Sequence, residues 1–140
     1  MKFLVEDKRV KIYAFVIMPN HIHLIWYIND GHKGSDVQQS FLKFTAQQIK
    51  ADLQKNNPLL LERFKVNAAD RQYQFWERNP LSVGLYTDKV FKQKLEYIHN
   101  NPVQDKWKSA QSPEDYFYSS AKFYYTGKDD FGFLSHYMYE

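Results

Sequence analysis

Two histidines, His21 and His23, stand one residue apart in the β-branched and aromatic run 21–28. Side chains at alternate positions of a β-strand share one face, so this spacing places both imidazoles on one side, roughly 7 Å apart along the chain. Imidazole nitrogens bind divalent transition metals, and two of them on one face can converge on a single ion. The pair is also typical of two half-exposed sheet histidines, so it indicates a metal site only together with further residues.

Tyr97 and Asn101 lie four residues apart, a spacing that places two side chains on one face of an α-helix. Tyr97 lies off the apolar stripe formed by Phe91, Leu95 and Ile98. A phenol is a weak nucleophile until its proton is removed or its target phosphate is polarised, and a divalent ion does the second. Tyr97 therefore suits covalent phosphoryl chemistry, although a plain helix-surface tyrosine is the alternative in a chain with eleven tyrosines.

The histidines belong to a predicted antiparallel hairpin. The runs 10–17 and 21–28 are rich in β-branched and aromatic residues, and Met18-Pro19-Asn20 between them suits a tight turn. Ile22, Leu24, Trp26 and Ile28 alternate with the histidines and form the apolar face that a sheet packed on helices requires. The histidine face is therefore expected to be the polar, functional one.

Helical periodicity predicts the other elements. A helix is expected from Ser35 to about Lys55, capped by Ser35 or Asp36, with an apolar stripe along one side. A second helix is expected from Asp88, its predicted cap, to Asn100, because Pro102 disfavours helix at the residue before it. The remaining expectations are a loop with a helical turn at 56–71, a strand at 72–77 and a short helix around 113–125 closed by Gly127. The stripe of the first helix comprises Phe41, Leu42, Thr45, Ile49 and Leu53.

Composition predicts one soluble cytoplasmic domain over residues 1–140. The chain is 44% hydrophobic and 25% charged, with no cysteine and a net charge of +3. Any metal must therefore use nitrogen and oxygen ligands, and no apolar run approaches the roughly 20 residues of a membrane span. The aromatic share of 18% exceeds what a small core needs and could supply rings that stack on unpaired bases.

Three ordered blocks resemble the REP-associated tyrosine transposases and their insertion-sequence relatives, the single-strand HUH transposases. The first block is 13–25, YAFVIMPNHIHLI, the second is 94–103, KLEYIHNNPV, and the third joins PEDY at 113–116 to YSSA at 118–121. The similarity covers residues 12 to about 125. Three blocks in order and spacing are far more specific than any one of them.

The resemblance implies an α+β, ferredoxin-like fold, in which an antiparallel sheet with helices packed on one face carries the histidines and a helix presents the tyrosine. It implies a metal-dependent single-strand DNA endonuclease and strand transferase acting through a covalent 5′-phosphotyrosine. His21 and His23 would be ligands of Mg²⁺ or Mn²⁺, Tyr97 the nucleophile and Asn101 a third ligand. His99 is the weaker ligand candidate, since two residues turn a helix by roughly 200° from Tyr97.

Family members normally begin with another strand and helix, whereas MKFLVEDKR resembles only the last turn of that helix. The domain is therefore expected to be N-terminally short, with an exposed sheet edge. The family implies a bacterial, nucleoid-associated protein and includes both monomers and dimers that exchange tyrosine helices, so a homodimer is an open expectation.

The expected substrate is single-stranded or hairpin DNA, with phosphates bound by basic side chains. Solvated surface charge is the alternative for each of these. A decayed or domesticated relative that binds DNA hairpins without cutting is the second functional hypothesis, and a metal-dependent hydrolase that uses water as nucleophile is the third. The candidate phosphate-binding residues are Lys43, Lys50, Arg71, Lys89, Lys92 and Lys94.

Overall fold

The computed structural model describes residues 1–139, and its centre is a two-stranded antiparallel hairpin. Strand β1 spans Val10–Met18 and strand β2 spans His21–Ile28, joined by Pro19 and Asn20. The register pairs Met18 with His21 and continues to Val10 opposite Ile28, with a bulge at Tyr13. The predicted hairpin is confirmed.

Five helices accompany the hairpin in the described chain. They are α1 (Lys2–Glu6), α2 (Gly34–Asn56), α3 (Pro58–Glu62), α4 (Asp88–Asn100) and α5 (Ala121–Thr126). Short 3₁₀ turns follow at Asn101–Val103, Pro113–Asp115 and Tyr137–Tyr139. Gly127 ends α5 in the left-handed conformation that favours glycine, with φ of 78°, as predicted. The architecture is thus α+β, and no helix within residues 1–139 combines the length and apolarity needed to cross a membrane.

The chain divides into two compact units, Met1–His32 with Gly84–Glu140, and Lys33–Val83. The first unit contains the hairpin, α1, α4 and α5, and the second contains α2 and α3. The expectation of one domain over the whole chain stays a prediction.

Helix α4 packs on the face of the hairpin that carries the histidines. Ile98 is buried there against Ala14 and Val16 of β1 and Ile25 of β2. Phe91 and Leu95 pack half-buried against the same cluster, so the predicted stripe of α4 is confirmed. The expectation that the histidine face is the polar one was incomplete, because the part of this face around Ala14 and Ile25 is apolar and packs against α4.

The opposite face of the hairpin is covered by aromatic rings from the C-terminal segment. The ring of Phe15 is 1% exposed and lies 5.1 Å from the ring of Phe131 and 5.8 Å from that of Phe133, measured between centroids. Ile22, Leu24, Trp26 and Ile28, which the sequence predicts as the apolar row, are half-buried on this face.

The outer edge of β1 is paired with segments from the C-terminal half, which protects it from pairing with another chain. The backbone N–H of Ile17 donates to the carbonyl of Tyr118 at 2.8 Å, and that of Ser120 donates to Phe15 at 3.0 Å. Farther along, the N–H of Ser135 donates to Ile12 at 2.9 Å. The predicted helix around 113–125 is therefore wrong, because Ser119 forms an antiparallel bridge with Val16 of β1 and α5 begins only at Ala121.

Within the second unit one further prediction from local pattern is corrected and another is confirmed. Residues 72–77 form no strand, and only an isolated bridge joins Tyr73 to Lys65. The aromatic side chains serve local packing instead: Phe75 lies 5.0 Å from Phe64 between centroids, and the indole N–H of Trp76 donates to Thr45 Oγ1 at 2.9 Å. The helical turn expected inside 56–71 is present as α3.

The helix caps also differ from those predicted. Helix α2 begins after Lys33 without a side-chain cap, so neither Ser35 nor Asp36 caps it. Helix α4 is capped by Thr87, whose Oγ1 accepts from the N–H of Val90 at 3.2 Å, and Asp88 is its first residue. Asp88 still contributes favourably there, because a carboxylate in the first turn interacts with the positive end of the helix dipole.

A buried hydrogen-bonded pair fixes α4 to β1. Ser120 Oγ accepts from the backbone N–H of Phe15 at 3.0 Å and lies 2.8 Å from His99 Nε2. Ser120 is 0% exposed and His99 is 9% exposed, so this pair is largely shielded from water. Burial lowers the pKa of His99 from 6.5 to about 4.

The lowered pKa of His99 predicts that the protein loses stability in acid, when His99 becomes protonated. The folded pKa of His99 is depressed, so the unfolded chain binds the proton first and the stabilisation is lost as pH falls from 6.5 to about 4. The shift corresponds to about 3 kcal/mol of unfolding free energy. Urea unfolding of the parent and of His99→Gln at pH 7 and pH 4 measures it, since the variant cannot titrate there. Equal pH dependence in both proteins would contradict the assignment.

Candidate functional site

His21 and His23 lie on the same face of β2, as the strand spacing predicts. They stand opposite Met18 and Val16 of β1 and are both half-buried. Their ring centroids are 5.0 Å apart, with the ring planes at 77°. Two imidazoles at this separation and angle can direct nitrogen lone pairs toward a shared point.

The turn residue Asn20 determines which nitrogen of His21 can bind a ligand. His21 Nδ1 lies 2.7 Å from Asn20 Oδ1, and an amide oxygen can only accept a hydrogen bond. In the neutral imidazole of His21 this contact places the proton on Nδ1 and the lone pair on Nε2. Partners that hold the second nitrogen in this way are usual for metal-binding histidines.

Tyr97 of α4 reaches the histidines within a single chain. Its ring centroid lies 5.4 Å from that of His23, with the planes at 74°. Tyr97 is 50% exposed, so its ring contacts His23 and is also accessible to solvent. The packing of Ile98 against Ala14 and Val16 explains the position, because the neighbouring helix residue then points along the face toward His23.

Lys94 places a positive charge beside Tyr97 and His23. Its ammonium lies 5.9 Å from the centroid of the Tyr97 ring, one helical turn away. Burial lowers the pKa of His23, and repulsion of its protonated form by a protonated His21 and by the Lys94 ammonium lowers it further. His23 is thus held in its neutral form, which is the form that can bind a metal.

Asn101 follows α4 and is 3% exposed. Within residues 1–139 its Oδ1 is buried without a hydrogen-bond partner. Leaving such an oxygen unsatisfied costs about 1–3 kcal/mol, so a bound cation is one species that would compensate it. An amide oxygen is also a ligand that hard divalent cations accept.

The candidate donors fit a divalent metal that accepts both nitrogen and oxygen ligands. No group of three or more His, Asp and Glu side chains suited to a metal forms within residues 1–139, so a metal at the two imidazoles would need further oxygen donors, for which Asn101 is the expected candidate. Imidazole nitrogen suits Mn²⁺ better than Mg²⁺, which prefers oxygen ligands and would rely on water and phosphate oxygens.

The other sequence candidates fall into separate surroundings. Lys89 and Lys92 are exposed on α4. Lys43, Lys50 and Arg71 belong to the second unit, where Arg71 pairs with Asp70 at 2.7 Å and the ammonium of Lys50 lies 5.3 Å from the ring centroid of Tyr73.

Two further histidines have other surroundings. His99, the weaker ligand candidate, is buried, and its Nε2 lies 2.8 Å from Ser120 Oγ. The ring of His136 stacks on that of Tyr137, with centroids 5.4 Å apart.

Three residues near the histidines were missed from the sequence as functional candidates. Asn20 was assigned only to the turn, whereas its side chain holds His21. The ring of Trp107 lies 5.6 Å from that of His21, and the ammonium of Lys106 lies 5.1 Å from the Trp107 ring centroid. Trp107 lies in a loop without periodicity, so no pattern indicated which side it would contact.

Comparisons with known proteins add little to this geometry. No family model and no solved structure matches the chain. The chain is 32% identical over 101 residues to an uncharacterized protein of Haemophilus influenzae, an alignment that covers 68% of the chain and 56% of the relative. The chain therefore spans about half the length of that relative.

The two-histidine site predicts a single weak-to-moderate Mn²⁺ site that depends on both imidazoles. His21→Ala and His23→Ala should each weaken Mn²⁺ binding by more than tenfold, because each removes one of few donors. Asn20→Ala should weaken it by about 10-fold to 100-fold, since it frees the tautomer and orientation of His21. The loss of the free-ion EPR signal on titration measures the affinity.

The exposed His32 supplies the matched control. His32→Ala should bind Mn²⁺ like the parent, and denaturant unfolding should show that the half-buried His21 and His23 variants remain folded. If His23→Ala retains parental Mn²⁺ affinity, the ion binds elsewhere.

Proposed function

We propose that this protein cuts and rejoins single-stranded DNA, with Tyr97 as the covalent nucleophile, in the manner of a single-strand HUH transposase. One observation carries the proposal: the ring of Tyr97 contacts that of His23 at 5.4 Å, although α4 and β2 are far apart in the sequence. A nucleophile beside a pair of metal-binding side chains is the arrangement that phosphoryl transfer requires.

The reaction we propose is an in-line displacement at a DNA phosphate. Tyr97 Oη forms a bond to phosphorus while the bond from phosphorus to the 3′ oxygen breaks. The phenol proton passes to solvent, and the 3′ oxygen leaves as a hydroxyl after taking up a proton. Attack of another 3′-hydroxyl on the 5′-phosphotyrosine reverses these steps and joins strands without ATP.

The residues around Tyr97 support this chemistry. Lys94 places an ammonium where the charge of an incoming phosphate would lie, and no ion pair within residues 1–139 includes it. His21, His23 and Asn101 would hold Mg²⁺ or Mn²⁺, which supplies polarisation of the phosphate when bound. The 50% exposure of Tyr97 leaves room for a strand to approach.

The proposal includes the finer fold assignment. The hairpin of β1 and β2 with α4 on its histidine face would form part of a ferredoxin-like domain, with the tyrosine helix crossing the sheet. A homodimer that exchanges tyrosine helices is not required for the His23–Tyr97 contact, because one chain supplies both residues.

Tyr97→Phe is expected to abolish covalent adduct formation. The change removes one oxygen from a half-exposed ring, so unfolding free energy should shift by no more than about 0.5 kcal/mol. Labelled hairpin DNA with a single-stranded extension, incubated with Mn²⁺, should give a denaturation-resistant protein–DNA band with the parent only. Tyr125→Phe, which alters an exposed tyrosine on α5, should form the adduct normally.

The other outcomes of that experiment are equally specific. An adduct formed by Tyr97→Phe would place the nucleophile on another tyrosine. Hydrolysis without any adduct in the parent would support a metal-dependent hydrolase with water as nucleophile. Hairpin binding without cutting or adduct would indicate a DNA-binding module.

The substrate is expected to be unpaired DNA, because a duplex hides the base faces on which aromatic side chains stack. Affinity for a single strand should fall with salt, and each phosphate contacted should contribute about 0.7 to the slope of log K against log salt. Fluorescence anisotropy over a salt series measures this slope. Equal cleavage of a perfect duplex and an unpaired strand would contradict the proposed substrate.

A further inference from the structure

Four rings follow one another across the histidine face, and we call them the ring row: Tyr97, His23, His21 and Trp107. Successive centroids are 5.4, 5.0 and 5.6 Å apart. An ammonium lies over the ring at each end, that of Lys94 at 5.9 Å from Tyr97 and that of Lys106 at 5.1 Å from Trp107. The proposed reaction uses only the Tyr97 end of the row.

The Trp107 end is held in place by the backbone around it. The N–H groups of Trp107 and Lys108 both donate to the carbonyl of Gln104 at 2.9 Å, and that of Ser109 donates to the buried Pro102 at 2.8 Å. Lys108 adopts a left-handed conformation with φ of 45°, which a lysine rarely does. The turn thus fixes the backbone position of Trp107, and a non-glycine residue in such a conformation is a frequent mark of a functional segment.

Trp107 is packed on one side and open on another. It packs half-buried against the cluster that contains Ile98, and its ring contacts His21. Burial alone would not require a tryptophan with a lysine directly before it. A fixed, partly open indole beside an ammonium is instead the combination that binds a nucleotide, through stacking on the base and charge on the phosphate.

We propose that Trp107 and Lys106 form a nucleotide subsite, in which a base of the single strand stacks on the indole and Lys106 binds the adjoining phosphate. The proposal rests on the proposed single-strand DNA function and places the strand along the ring row. The reacting phosphate would lie between the histidines and Tyr97, and the stacked nucleotide beside His21.

When a base stacks on the indole, the Lys106 ammonium must exchange its contact with the ring for a contact with a phosphate, and this exchange is favourable. The Lys106 ammonium contacts the indole at 5.1 Å, and no ion pair within residues 1–139 includes it. A phosphate oxygen is a stronger partner for an ammonium than the face of a partly exposed ring. The lysine can therefore leave the indole face to a base and remain close enough to contact the phosphate of the same nucleotide.

The test separates base stacking from phosphate binding by using two probes of equal charge. One is a fluorescein-labelled oligothymidine strand of about 12 nucleotides, within the usual site size. The other is an abasic strand with the same number of phosphates. Affinities of the full chain are measured by anisotropy in EDTA, so the readout does not depend on catalysis.

Trp107→Ala should weaken oligothymidine binding by about 5-fold to 150-fold, which corresponds to 1–3 kcal/mol for one stacked base. The same variant should leave binding of the abasic strand unchanged, and Trp107→Phe should retain most of the affinity for oligothymidine. Lys106→Gln should weaken both strands and reduce the salt slope by about 0.7. Tyr125→Ala and Lys2→Gln, at positions on other helices, should change neither.

Equal loss on both strands with Trp107→Ala, or no loss on either, overturns the proposal. If that variant unfolds, Trp107→Leu takes its place, since leucine keeps an apolar side chain at this half-buried position but offers no ring for a base to stack on. A parent protein that binds abasic and oligothymidine strands equally overturns the proposal without any variant.

The adduct assay distinguishes this subsite from the proposed function. Adduct formation with no role for Trp107 in oligothymidine binding would leave the function standing and remove the subsite. Base-dependent binding through Trp107 without any adduct would support the subsite and remove the covalent chemistry.

Discussion

The packing of Ile98 on β1 is the interaction on which the candidate site depends. Consecutive residues of an α-helix project about 100° apart, so one anchored position fixes the directions of its neighbours. With Ile98 buried against Ala14 and Val16, Tyr97 lies against His23 on one side and His99 reaches Ser120 on the other. Three successive side chains of α4 thus have separate roles: contact with the site, burial in the core and attachment to β1.

The two neighbours of Ile98 differ in burial and in hydrogen bonding, and this difference holds α4 in place. The His99–Ser120 pair is buried, and a buried polar pair that loses one partner costs more than its net contribution to stability. Tyr97, in contrast, is half-exposed, and no hydrogen bond within residues 1–139 holds its hydroxyl. The helix can therefore be held firmly by Ile98 and His99, while Tyr97, the proposed nucleophile, keeps an exposed face for a substrate.

Local periodicity was sufficient to predict the hairpin, the shared face of His21 and His23 and the stripe of α4. It failed where a partner elsewhere in the chain decides the structure. The aromatic run at 72–77 has strand composition, yet its rings pack locally and no strand within residues 1–139 pairs with it. The segment 113–125 is interrupted as a helix because its backbone bonds to the edge of β1 around Ser119. Likewise, Trp107 contacts His21 only through the turn after α4, so no spacing in the sequence could indicate it.

The charge of the ring row restricts what it can bind. Burial and neighbouring positive charge lower the pKa of His23 and favour its neutral form, and the contact with Asn20 leaves Nε2 of His21 as the nitrogen available to a ligand. The formal charge along the row then comes from Lys94 and Lys106 at its ends. A divalent ion between them would add further positive charge, which a neutral substrate cannot balance. A DNA strand brings one phosphate per nucleotide and can balance these positive charges along the ring row. Its bases can stack on the rings that lie between the charges.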